Sequence, residues 1–276
     1  MSNAKEMTRQ FETQIDIAAP RDAVWRAIAT DAGLCRWFAP EASVGSAVGG
    51  EVVWEWGGHH RWVQRIEVLE PGTRLRTRYD SAVDDGSGGW KPLFIDFVLE
   101  GDGGITTLRL VQSGFGSEEG FDAEYDGISR GWPVELRSLR LYLEGHAGKD
   151  RRLAWSTLGI DMRPAEAWER LTGDGGFACG AAVESMQEGD PFRFETADGD
   201  LISGTALVCH PREFSGDARS HGGAFFRISV EEWGGNSHPW CWLGAYDREQ
   251  SELSALEARW DAMLERLFSV SPRTTS

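Results

Sequence analysis

The sequence predicts two consecutive copies of one α+β domain. Residues 11–28 and residues 153–172 each read as a strand carrying Ile-Asp, then a proline, then a tryptophan-bearing helix. Each half also closes with a helix that contains a tryptophan, Trp132 in the first half and Trp260 in the second. A unit of roughly 130 residues has the size of an ordinary domain. The repeat therefore predicts two similar domains and not a solenoid.

The first half begins with alternating apolar and polar residues over 11–17, which predict a strand with one solvated face. Pro20 opens a helix, and a second short helix over 31–38 follows, capped by Thr30 or Asp31. Strands with one apolar face are predicted around residues 52–56, 62–69, 74–79, 93–99 and 108–110, separated by Gly- and Pro-containing turns. Apolar residues at helical spacing from Ile128 to Leu143 predict a long closing helix. Pro133 either kinks this helix or marks its first turn.

The second half repeats this order with differences. A strand near residues 155–160 precedes a helix over 164–171, and the glycine-rich segment 172–180 predicts that the second short helix is weak or absent. Further strands are expected over 191–195, 201–210, 224–232 and 240–246, before a closing helix from Leu253 to Leu267. Residues 145–152 have the composition of a linker. The predicted domains are therefore 8–146 and 151–270, the second more divergent.

Composition narrows the classes of partner. The formal charge of −16 divides evenly, with 15 basic and 23 acidic residues up to position 148 and 13 and 21 after it. An acidic surface disfavours nucleic acid and anionic membranes. No run of about 18 apolar residues predicts a transmembrane helix, and the first residues do not resemble a signal peptide. We therefore expect a cytoplasmic protein whose four cysteines, none in a C-x-x-C pair, are reduced.

A family resemblance rests on IDIAAPRDAVWRAIATDAGLCRWFAP and GWPVELRSLRLYLE in the first half. With these segments the chain resembles the START-like superfamily (SRPBCC, birch-pollen-allergen-like), in the branch named for the activator of the heat-shock-protein ATPase. The resemblance covers about residues 11–146 well. It covers about 153–268 more loosely, through IDMRPAEAWERLT and LEARWDAMLERLF.

The resemblance implies tandem helix-grip domains, each a curved antiparallel sheet wrapped around its long C-terminal helix, with an apolar cavity between them. The side chains expected to face the first cavity are Trp54, Trp56, Trp62, Phe97, Trp132 and Leu136. One hypothesis is that they contact a small apolar ligand. The alternative is that they only fill the core, as aromatic residues at strand and helix spacing often do.

The leading functional hypothesis is therefore a non-enzymatic protein that binds a small apolar ligand or a protein partner in this cavity, without a cofactor. One rival is an enzyme, because relatives of this fold include cyclases and aromatases that use the cavity as a reaction vessel. A second rival is a co-chaperone-like stimulator of a heat-shock ATPase. Against it, the N-terminal domain of the eukaryotic activator is not recognisable in the sequence.

Sequence motifs for catalysis or metal binding are absent: there is no G-x-S-x-G, P-loop, H-E-x-x-H or G-x-G-x-x-G. His59 and His60 are adjacent, so on a strand they point to opposite faces and do not share a metal. Residues 84–88 lack the carboxylate alternation of a calcium loop. We accordingly predict no metal site and no catalytic residue.

Two charged groups on the predicted strands have alternative interpretations. Glu51 and Glu55 share one strand face, and general acid–base work at a cavity mouth is one interpretation of this pair. Arg74, Arg76 and Arg78 form a basic stripe that either binds an anionic group or, as we favour, lies on a solvated outer face.

Overall fold

The computed structural model describes residues 9–58, 60–84, 90–101, 103–116, 120–233 and 235–269. The chain divides into two compact units, with the boundary between Gly148 and Lys149. His59 and most of the 84–88 segment lie outside the described residues. Within the described ranges, no helix is long and apolar enough to cross a membrane.

Among its described residues, the first unit contains seven strands and three helices. Its elements are β1 (Arg9–Ile17), α1 (Arg21–Ile28), α2 (Asp31–Cys35), β2 (Glu41–Val44), β3 (Glu51–Trp56), β4 (His60–Glu70), β5 (Arg74–Asp84), β6 (Trp90–Glu100), β7 (Thr106–Phe115) and α3 (Gly120–Gly145). All strand pairs are antiparallel, in the sheet order β1-β7-β6-β5-β4-β3-β2.

One face of this sheet and one face of α3 form the core of the first unit. Successive strand residues point to opposite faces, so alternation in β6 buries Leu93, Ile95, Phe97 and Leu99 on the same side. The buried face of α3 includes Ile128, Trp132, Leu136 and Leu139, which recur at helical spacing. The sheet and the closing helix thus enclose a largely apolar interior.

Close packing fixes the segment between α1 and β2, which contains α2 and Phe38. Thr30 caps α2, because its hydroxyl accepts the amide of Gly33 at 3.0 Å. A Cβ on Gly33 would lie 2.0 Å from the Arg26 carbonyl oxygen, so only glycine allows α1 and α2 to meet so closely. Trp37 donates from Nε1 to the Ala27 carbonyl at 2.9 Å, which anchors the segment that carries Phe38.

As far as the structure describes it, the second unit has the same plan with one strand fewer. Its elements are β8 (Arg151–Thr157), α4 (Pro164–Thr172), α5 (Gly180–Ser185), β9 (Pro191–Glu195), β10 (Leu201–His210), β11 (Glu213–Ala218), β12 (Ala224–Trp233), β13 (Asn236–Tyr246) and α6 (Gln250–Phe268). The antiparallel order β8-β13-β12-β11-β10-β9 again places the first strand beside the last. The predicted α+β architecture, two helix-grip units in tandem, is confirmed.

Several local predictions need correction. The short second helix of the second unit, expected to be weak or absent, is present as Gly180–Ser185, since the glycine-rich segment ends where this helix begins. The strands Glu41–Val44 and Glu213–Ala218 were not predicted, because each is short or rich in small residues. Helix α3 begins at Gly120, well before Ile128, so Pro133 lies inside it and does not mark its first turn.

Candidate functional site

Aromatic rings from three elements and from the segment that follows α2 meet in the interior of the first unit. Trp132 of α3 stacks on Phe38, with ring centroids 5.7 Å apart and planes inclined by 12°. Trp54 of β3 and Phe97 of β6 contact Trp132 edge-on at 6.2 and 5.6 Å. Each of these four side chains is at most 8% exposed. Edge-on and stacked pairs of this kind stabilise a packed interior beyond the area they bury.

This aromatic cluster continues to the protein surface at the β3–β4 turn. Trp56 contacts Phe38 at 5.3 Å, and Trp62 contacts Trp54 at 6.1 Å. Both tryptophans are half-buried, and the exposed His60 contacts both of their rings, at 5.9 and 5.5 Å. The rings therefore form a continuous path from solvent to Trp132.

All six residues predicted to face the cavity lie in this region. Five of them, the aromatic ones, belong to the cluster just described, and Leu136 is buried one turn after Trp132 on α3. Ligand contact at Trp54, Trp56, Trp62, Phe97, Trp132 and Leu136 stays a prediction.

A chain of hydrogen bonds, which sequence analysis missed, runs beside the rings from the buried Gln112 to the half-buried Glu124. Trp132 Nε1 donates to Gln112 Oε1, and Gln112 Nε2 donates to the Tyr79 hydroxyl, both at 2.6 Å. Tyr79 donates in turn to Glu124 at 3.2 Å, and Ser81 donates to the other Glu124 oxygen at 2.6 Å. The alternation of residues along β7 could have indicated it, because Gln112 continues the inward-facing series of Leu108 and Leu110.

Burial is the main cause of a raised pKa at Tyr79, and the charge of Glu124 and the hydrogen bond to it raise the pKa further. Tyr79 is therefore a protonated phenol at neutral pH. It acts in this chain as a hydrogen-bond donor to Glu124 and an acceptor from Gln112. These two bonds connect the Gln112 amide to the Glu124 carboxylate.

A second polar group lies on the strand next to Trp54. The Thr77 hydroxyl donates to Gln64 Oε1 at 2.5 Å, and both side chains are 1% exposed. Gln64 Nε2 and Trp54 Nε1 are also buried, yet neither donates to any atom among the described residues. Buried donors without an acceptor are rare in folded proteins, because each carries a desolvation penalty.

The charged groups considered above lie away from this interior. Glu51 is exposed and alternates with the inward Val52 and Trp54, so Glu51 and Glu55 face the opposite side of β3. The hypothesis that they act at a cavity mouth is wrong for this reason.

The arginine stripe of β5 is paired with carboxylates along the sheet. Arg74 forms two bonds to Asp96, at 2.9 and 2.6 Å, while Arg76 lies near Glu67 and Asp96. Arg78 pairs with Asp80 at 3.0 Å. No cluster of three metal-ligating side chains occurs within the ranges that the structure describes.

The interior of the second unit is different in kind. Five phenylalanines and Trp260 pack there, and none is more than 4% exposed: Phe177, Phe192, Phe194, Phe214 and Phe226. A Cβ on Gly216 would lie 2.5 Å from the ring of Phe192. The half-buried Trp168 packs against this core, whose innermost rings are phenylalanines and Trp260.

Comparison with known proteins places the chain among its relatives. The family model for "Activator of Hsp90 ATPase homolog 1-like protein" matches residues 18–144. No curated protein matches the chain. Among solved structures, a Mesorhizobium loti protein is similar at 23% identity over 49% of this chain and 97% of its own, with a TM-score of 0.44.

Two further solved structures are similar. The Aha1 dimer from Colwellia psychrerythraea shares 22% identity over 49% of this chain and 96% of its own, with a TM-score of 0.42. The di-domain ARO/CYC protein BexL, of the BE-7585A biosynthetic pathway, shares 15% identity over 96% of this chain and 100% of its own, with a TM-score of 0.44. On the family match and the sheet-and-helix architecture described above, the first domain of this chain belongs to the Aha1-like branch of the START-like superfamily.

Proposed function

We propose that the first domain binds a small, largely apolar molecule between its sheet and α3, as a carrier or sensor and not as an enzyme. The observation that carries this proposal is the aromatic path from His60 at the surface to Trp132 in the interior. Binding sites for small molecules are lined mainly by apolar and aromatic side chains with a few polar groups. The six residues named above, with Phe38, are the proposed contacts.

The contrast with the second domain supports this assignment. Its interior rings are closed off from solvent, and Gly216 is required for the close packing of Phe192. The first domain instead combines large tryptophans with the buried amide of Gln112, the buried phenol of Tyr79 and the half-buried carboxylate of Glu124. Polar groups reduce the stability of a core that serves packing alone, but they give a binding site its specificity.

The non-enzymatic part of the proposal rests on the titratable groups beside the rings. Each carboxylate oxygen of Glu124 already accepts a hydrogen bond from a hydroxyl group, one from Tyr79 and one from Ser81. Tyr79 stays protonated because its pKa is raised by burial. Cytoplasmic location belongs to the same proposal, and the four cysteines, none of which forms a disulfide among the described residues, support it.

The proposal is tested by hydrogen–deuterium exchange of the full chain with and without 2-ethylnaphthalene, an uncharged apolar probe. We expect slower exchange in peptides from β3, β4 and α3, because a molecule that binds the folded domain stabilises it against local opening. A Phe38→Ala variant, which removes the ring stacked on Trp132, should lose this protection, whereas the matched Phe226→Ala variant of the second domain should keep it. Absence of protection in the first domain, or protection confined to the second, would refute the proposal.

A further inference from the structure

Two hydrogen-bond donors in the first domain are buried without an acceptor. Trp54 is 2% exposed and Gln64 is 1% exposed, and Trp54 Nε1 and Gln64 Nε2 bond to no atom among the described residues. The Gln64 amide is held by its other end, since Oε1 accepts the Thr77 hydroxyl at 2.5 Å. This bond holds the amide beside Thr77, with Nε2 lacking an acceptor among the described residues.

The two donors lie on the same face of neighbouring strands. Trp54 pairs directly with Trp62 across β3 and β4, and Gln64 is two residues further along β4. Residues in this diagonal relation are about 7–8 Å apart, within reach of long and aromatic side chains. The two side chains are therefore neighbours on this face of the sheet.

The neighbouring donors in this interior are satisfied, which makes the pair exceptional. Trp132 Nε1 donates to Gln112, and Gln112 Nε2 donates to Tyr79. In the second domain Trp260 Nε1 also has no acceptor, but it is a single donor among phenylalanine rings. In the first domain, the two donors lie on neighbouring strands beside the rings that lead from Trp132 to solvent.

We infer that the molecule bound by the first domain carries an uncharged oxygen acceptor, such as a ketone or ether oxygen, which takes hydrogen bonds from Trp54 Nε1 and Gln64 Nε2. This inference rests on the proposed function and adds the chemical class of the ligand. Both donors are uncharged, and a buried carboxylate would require a charged partner to offset its desolvation. The ligand is accordingly an apolar, ring-containing compound with a neutral oxygen at its inner end.

The test compares two probes of similar shape, 2-acetylnaphthalene, which has a ketone oxygen, and 2-ethylnaphthalene, which has none. Their dissociation constants are measured on the full chain for the unaltered protein and for the Gln64→Leu, Trp54→Phe and Gln14→Leu variants. Gln14 is an exposed residue of β1 and serves as the control. The carbonyl stretching band of bound 2-acetylnaphthalene gives an independent, spectroscopic readout of hydrogen bonding.

The unaltered protein should bind the ketone at least about tenfold more tightly than the hydrocarbon, since two buried donors gain an acceptor. Gln64→Leu and Trp54→Phe should each reduce this preference severalfold and shift the carbonyl band to higher frequency, while Gln14→Leu should change neither. Equal affinities for the two probes would overturn the inference and leave the proposed function intact, with a buried water as the acceptor. Failure of both probes to bind would overturn the inference and the proposed function together.

Discussion

Replacement of Gln112 by leucine tests the buried hydrogen-bond chain of the first domain. Gln112 is fully buried and connects Trp132 to Tyr79 through two bonds of 2.6 Å. Leucine has a similar size, so the change removes polar contacts with little change in packing volume. It leaves Trp132 Nε1 buried without an acceptor, while Tyr79 keeps its bond to Glu124.

The expected loss of stability follows from these contacts. A buried donor left unsatisfied costs about 1–3 kcal/mol, and the lost bond to Tyr79 contributes about 0.5–1.5 kcal/mol more. We therefore expect the free energy of unfolding of the first domain to fall by about 1.5–4.5 kcal/mol. The exposed Gln14→Leu control should change it by less than about 0.5 kcal/mol.

The assay is hydrogen–deuterium exchange of the full chain across a urea series, followed in peptides from β7 and α3, which assigns the transition to the first domain. Combining Gln112→Leu with Tyr79→Phe gives the coupling energy of the pair, which should be about 0.5–3 kcal/mol. A Gln112→Leu variant as stable as Gln14→Leu would show that the chain of bonds does not stabilise this interior.

Three further predictions concern packing and titration. Gly216→Ala should destabilise the second domain by about 1–3 kcal/mol in urea unfolding, because its Cβ would lie 2.5 Å from Phe192. Gly127→Ala, inside α3 with no atom within 4 Å of the added Cβ, should instead stabilise the first domain by about 0.5–1 kcal/mol. Burial raises the pKa of Cys179 from 9.0 to about 12, so this thiol should resist a thiol reagent at pH 8 until urea unfolds the chain. Because the folded chain holds this proton more tightly, stability should fall as pH rises from about 9 to 12; an increase over that range would contradict the assignment.

The architecture followed from local pattern, since strand alternation and helical spacing are properties of short segments. The closing helices were predicted from residues such as Trp132 and Trp260, and the proline-opened helices from Pro20 and Pro164. The short strand Glu41–Val44 was missed because four residues carry too little periodicity. The start of α3 at Gly120 was missed because glycines and acidic residues hide its apolar face.

The candidate site was only partly predictable for a different reason. The aromatic members could be predicted from their residue type and their alternation along the strands, and five of them meet in one cluster. The polar members could not be predicted in this way, because Gln112 and Glu124 are connected through Tyr79 and the three residues lie on three different elements. Contacts between residues distant in sequence depend on the curvature of the sheet and on the rotation of α3, which no local pattern encodes.

The most direct test of the central claim is native mass spectrometry of the full chain purified from its own host, beside the Trp132→Ala variant. Trp132 contacts Phe38, Trp54 and Phe97, so its removal should abolish retention of a bound molecule. The account predicts that the unaltered protein carries a small molecule of defined mass and that the variant does not. The account would be contradicted if the unaltered protein had the mass of its polypeptide alone. It would also be contradicted if both proteins carried a bound molecule of the same mass.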